Sequence, residues 1–207
     1  MTVAKRERAA LVETIRAAGP EAATLCEGWT TRDLAAHLVL RERRLDATPG
    51  IAFAPLAGYT AKVQARIAEE TPWDELVDKI AGGPPIYSPF FLLDPLVNVA
   101  EMFIHHEDVR RAQPGWEPRQ LDSATLAALL RPFPLLGKVT LSKVPARLTL
   151  CTPDGRTLAT VGEGPEVTMT GEPEELLLYA FGRDAIRVEI TGDDAAVAQV
   201  KSAKRGL

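Results

Sequence analysis

The sequence predicts an α+β protein of two domains, a four-helix bundle followed by a small α/β unit. Three observations lead there. Up to about residue 113, apolar residues recur at helical spacing and mark four helical stretches. From residue 146 onward, short alternating β-rich runs are separated by turn residues. The 207 residues are enough for one large domain or two small ones, and the second half does not repeat the first. The expected division is a bundle over 1–113, a helical connection over 114–145 and an α+β domain over 146–207.

The first helix takes its inner stripe from Leu11, Val12 and Ile15. The second runs over residues 30–45 and carries its own start signal: Thr30 caps, Asp33 completes a capping box, and Trp29 staples onto Leu34. From Ala61 to Ile80 the helical pattern is weaker. Pro72 is expected to split it, with Thr71 or Asp74 capping the restart. The turn-rich GGPPIYSP precedes a strong helix expected from about Asp94 to Ala112, with Pro95 in its first turn and Pro114-Gly115 ending it. A further helix is read near 122–131. The runs ARLTLCT (146–152) and TLATV (157–161) form a hairpin across Pro153-Asp154-Gly155-Arg156, and EVTMTG (166–171) is a third strand. Pro173 opens a helix, IRVEITG (186–192) makes a fourth strand, and Asp193 or Asp194 caps a last helix through Lys201.

Composition narrows the function classes. A net charge of −4 with dispersed basic residues recommends neither nucleic acid nor an anionic membrane as partner. No apolar run reaches the length needed to span a bilayer, and the N-terminus reads as an amphipathic helix, so the expected compartment is the cytoplasm. Cys26 and Cys151 lie in different halves and are expected to be free thiols. Oligomeric state is not legible.

All three histidines fall on the two best-defined helices. Glu101 and His105, four apart, share one helical face with Cβ atoms about 5–6 Å apart. His37 sits between Leu34 and Leu38 at an inward position. If these helices pack side by side, two imidazoles and a carboxylate meet in the bundle core and leave a coordination position open, which is the catalytic rather than the structural pattern. Each piece has a plainer reading: an isolated Glu-xxx-His pair is more often a solvated face, and a lone histidine more often a hydrogen-bonded core residue. His106 diverges by about 100° from its neighbour, so it supports from outside or lies on the surface.

Two segments then strengthen the metal reading. LCEGWTTRDLAAHL (25–38) and EMFIHHEDVRRA (101–112) resemble the signature segments of the mycothiol-dependent maleylpyruvate isomerase family, whose N-terminal domain belongs to the DinB-like four-helix metalloproteins. The resemblance implies a DinB-like metal-binding bundle with His37, Glu101 and His105 as ligands of zinc or another divalent ion. The strand-turn-strand after Pro145 and LLLYAFGRDAIRVEITGD (176–193) are similar to the family's C-terminal α/β domain, a sterol-carrier-like topology. The implied function is a metal-dependent transferase or isomerase. Its partners are a low-molecular-weight thiol such as mycothiol and an electrophilic substrate. Segment 46–93 matches nothing recognisable. The motifs are specific for the bundle rather than for the reaction, so a non-catalytic metal- or ligand-binding protein of the same fold stays open, as does an apolar-ligand carrier with a structural metal.

Supporting residues follow. Asp108 can accept the other ring proton of His105 or pair with Arg111. Asp33 is read as the capping acid and Trp29 as the staple. Neither cysteine is expected to be the nucleophile. Arg183 is the candidate contact for an anionic substrate group.

Overall fold

The computed structural model describes residues 1–206, with the side chains of 92–97 outside that description. The chain divides into two compact units, Met1–Glu117 and Pro118–Leu207.

The first unit opens with α1 (Val3–Ala18), whose cap Thr2 accepts from the Lys5 amide. Next comes α2 (Thr31–Arg43), with the expected capping box: the Asp33 amide donates to Thr30 Oγ1, and the Thr30 amide to Asp33 Oδ2 at 2.9 Å. Two short 3₁₀ turns, Thr48–Ile51 and Ala54–Leu56, lead into α3 (Ala57–Glu70), which starts ahead of the expected Ala61. After the break at Pro72 comes α4 (Trp73–Ala81). Pro72 itself occupies the cap position, so neither Thr71 nor Asp74 does. The last helix, α5 (Pro89–Arg111), begins earlier than the expected Asp94. Pro89, which lacks the N–H that a first turn leaves unbonded, takes the starting place. The expected role of Pro95 falls among the residues whose side chains are not described.

α1 packs on α5 and α4, and α2 packs on α3, α4 and α5. The shared core joins Leu11, Val12 and Ile15 of α1, Leu34, Leu38 and Val39 of α2, Leu76 and Ile80 of α4, and Met102 and Val109 of α5. Each such side chain removed from water contributes about 1.5–3 kcal/mol before chain entropy is subtracted. From Leu34 to Glu42 every residue of α2 is buried. A helix covered on all sides must satisfy its polar side chains internally, which binds His37, Arg41 and Glu42 into networks rather than leaving them to solvent.

The second unit begins with α6 (Ser123–Leu130), capped by Asp122, which is the helix expected near 122–131, and α7 (Phe133–Thr140), which was not expected. Strands β1 (Arg147–Cys151), β2 (Thr157–Val161), β3 (Glu166–Gly171) and β4 (Val188–Gly192) form one sheet in the order β2-β1-β3-β4, and only the β1–β3 pair is parallel. The register sets Leu148 beside Val167 and Leu150 beside Met169, which puts all four on the buried face. Helix α8 (Pro173–Ala180) is buried along its whole length, and α9 (Asp194–Ser202) is tied to it where Tyr179 Oη donates to the Val200 carbonyl at 3.0 Å. β4 starts two residues later than the expected Ile186. The Ile186 amide donates to the Asp184 carbonyl and the Arg187 amide to Glu175 Oε2, so neither joins the ladder.

Candidate metal centre

The inward face of α2 carries His37, and the facing turn of α5 carries Glu101 and His105. Glu101 Oε1 lies 3.5 Å from His37 Nε2 and 3.3 Å from His105 Nε2. The two imidazole rings meet edge-on with centroids 5.3 Å apart. One ligand atom from each residue falls within a 4.8 Å group. His37 and His105 are buried, while Glu101 retains about a quarter of its side-chain exposure.

Both rings are held by their far nitrogens. His105 Nδ1 lies 2.9 Å from Asp108 Oδ2, and His37 Nδ1 lies 3.3 Å from Gln64 Oε1. With Nδ1–H donated outward, each Nε2 faces Glu101, and a bound ion would take the place of its proton there, the arrangement typical of metal-ligating histidines. Asp108 takes this place, and the Nε of Arg111 donates to Glu107 Oε2 at 2.6 Å. The donor set of two imidazole nitrogens and one carboxylate oxygen fits zinc and other borderline divalent ions.

A second set, Cys26, His105 and Asp108, also lies close together. Cys26 Sγ donates to Asp108 Oδ2 at 3.2 Å, and the same carboxylate holds His105. These groups satisfy one another, and Asp108 is fully buried, so the set acts as the support of His105.

The electrostatics follow the geometry. Burial alone would raise the Glu101 pKa, but hydrogen bonds from His105 and His37 and the charge of Arg41 hold it well below the usual carboxylate range. Burial would likewise lower that of His105, yet Asp108, Cys26 and Glu101 hold it well above the ordinary imidazole value.

A cleft of about 370 Å³ opens beside His37, lined among others by Trp29, Asp33, Ile51, Ala61 and Gln64. Trp29 packs against the bundle core and stands 5.1 Å, centroid to centroid, from the His37 ring, and it lines the cleft. Asp33 reaches the same cleft while serving in the capping box.

Residues 2–85 match the family model described as the mycothiol maleylpyruvate isomerase N-terminal domain. Over those residues the chain resembles that N-terminal domain. The matched stretch contains His37 and stops short of Glu101 and His105, so those two enter by geometry. No curated protein matches the chain. A solved structure described as the crystal structure of the mycothiol-dependent maleylpyruvate isomerase superposes with a TM-score of 0.58, covering 91% of this chain and 90% of that one at 15% identity. The fold is therefore that of the isomerase, a helical N-terminal domain followed by an α/β unit. Among the described residues, no helix is long and apolar enough to cross a membrane.

Sequence reasoning missed three neighbours of this domain's site. Cys26, expected only as a free thiol, touches it through Asp108. Arg41 approaches Glu101 Oε1 through Nε at 3.3 Å, and its position one helical turn after His37 was a usable signal. Gln64 gave no local signal, although it falls within the matched stretch 2–85. His106 turns away from the trio but is not at the surface. It is buried between Glu7 and Thr14 of α1, 2.8 Å from each. Arg183 lies just after α8 and donates to the Phe181 carbonyl at 2.6 Å.

Proposed function

We propose that this protein holds one divalent ion, zinc by preference, on His37, Glu101 and His105, and uses it in a transferase or isomerase reaction of a low-molecular-weight thiol. The observation that carries the reading is the convergence of both Nε2 atoms on Glu101 Oε1, with both Nδ1 atoms already engaged by Gln64 and Asp108. A bound ion supplies Lewis acidity that lowers the pKa of a coordinated thiol or water.

The chain's own residues do the rest. Three protein ligands leave a position open, and a cleft large enough for a small molecule lies beside His37. Trp29 and Ile51 offer apolar surface in that cleft, which suits an organic electrophile held beside the thiol. Mycothiol as the thiol is supported by the family of the N-terminal domain. Arg183 is the proposed contact for an anionic substrate group.

The test is thiol consumption with mycothiol or a simpler thiol against a panel of electrophiles. Consumption that disappears in His37→Ala supports the reading. Metal binding without consumption across a broad panel would replace it with a binding protein of the same fold.

A further inference from the structure

We propose that Arg41 sets the charge of the metal centre so that its open position favours an anionic ligand over a neutral one. This rests on the metal reading above and specifies the class of molecule the site takes.

Arg41 is buried beside Glu101, with Nε 3.3 Å from Oε1, the oxygen that both histidines approach. Two further contacts of its side chain lie on α5. NH1 donates to Asn98 Oδ1 at 2.5 Å, and the guanidinium lies 4.3 Å from the centroid of the Phe90 ring. Asn98 Nδ2 in turn donates to Glu42 Oε1, and Glu42 is paired with Arg8 through a buried two-point contact. From α1 inward the charges therefore alternate: three buried ones, Arg8, Glu42 and Arg41, and then the partly exposed Glu101. With so many partners, Arg41 is fixed in place as a permanent positive charge, since a guanidinium does not give up its proton in a protein.

The consequence is a count of charge. The Arg8–Glu42 pair cancels. A divalent ion, with Glu101, Asp108 and Arg41 around it and both histidines neutral as ligands, leaves one net positive charge. Asp33 stands only half-buried at the cleft, where water screens it. Neutral water in the open position keeps that charge unbalanced in a desolvated place, whereas a monoanion such as a thiolate cancels it. Without Arg41 the same count closes at zero with water bound, and the advantage of an anion is lost.

The measurement uses the full-length protein loaded with cobalt(II), whose visible spectrum reports coordination. Azide, 2-mercaptoethanol and imidazole are titrated into the wild type, Arg41→Met, Arg41→Gln and Arg41→Lys, each first checked for folding by circular dichroism. Arg41→Met and Arg41→Gln are expected to keep cobalt and lose about tenfold or more in azide and thiol affinity, with imidazole little changed and Arg41→Lys restoring part of the loss. Unchanged anion affinity in cobalt-loaded Arg41→Met or Arg41→Gln overturns the proposal and leaves the metal reading standing. A wild type that takes up no cobalt sinks the metal reading and this proposal with it. If no uncharged variant folds, the wild type decides. Azide bound more tightly than imidazole reverses the preference of free aqueous cobalt(II) and supports the proposal, and the ordinary order overturns it.

Discussion

The His105 ring meets Asp108 Oδ2 through Nδ1 at 2.9 Å, and this one contact determines which ring nitrogen faces Glu101. Asp108 is fully buried and also accepts from Cys26, so its carboxylate is locked in direction. Asp108→Asn preserves the shape and weakens that hold. Metal affinity is expected to fall about 10–100-fold, measured by chelator competition, with the protein still folded. Wild-type affinity in the variant would mean the contact does not orient the ligand.

The three proposed ligands and the neighbouring His106 are expected to separate cleanly. His37→Ala, Glu101→Gln and His105→Ala should each abolish stoichiometric metal in elemental analysis of purified protein. His106→Ala should keep the metal and lower unfolding stability by about 1–3 kcal/mol, since Glu7 and Thr14 lose a buried partner. Equal metal loss in all four would refute the assignment of faces on α5.

Proton linkage gives a third expectation. In the metal-free protein, His105 is held above its ordinary 6.5, so its contribution to stability is complete below that pH and is lost as pH rises through the raised value. Glu101 is held below its ordinary 4.5, so its contribution is present above that pH and is lost as pH falls through the depressed value. Stability of the metal-free form should therefore be flat between those limits and decline outside them. Below its raised value, neutral pH included, His105 carries a proton that an arriving ion must displace. Zinc binding at neutral pH is expected to release about one proton, read by calorimetry in buffers of different ionisation enthalpy. No release would contradict a charged His105.

The Arg8–Glu42 pair should dominate the thermodynamics of the bundle core away from the metal. Its side chains are 5% and 2% exposed, with NH1 to Oε2 at 3.1 Å. Removing one partner strands a buried charge, so Arg8→Met or Glu42→Gln is expected to cost about 3–5 kcal/mol in urea unfolding. The double variant should cost less than the sum of the two. Additive losses would show that the two side chains act independently.

What the sequence determined by itself were features encoded over short spans. The capping box of Thr30 and Asp33, the apolar stripe of α1, the hairpin turn through Asp154 and Gly155 and the placement of Glu101 and His105 on one face all depend on residues within a turn or two of one another. The start of α5 at Pro89 was already harder. A proline opens a helix as readily as it sits in the turn before one, and only the packed chain chooses.

The tertiary structure decided everything that depends on which helices face each other. Gln64 reaches His37 across 27 positions of sequence, Cys26 reaches Asp108 across 82, and Glu7 reaches His106 across 99. No local periodicity encodes such pairings. They arise because α2 is buried on every side and α1 lies along α5, so each polar group trapped between helices must find its partner on another element or bear the cost of desolvation alone. That same requirement turned Arg41 from one more arginine in a basic run into the fixed charge beside Glu101.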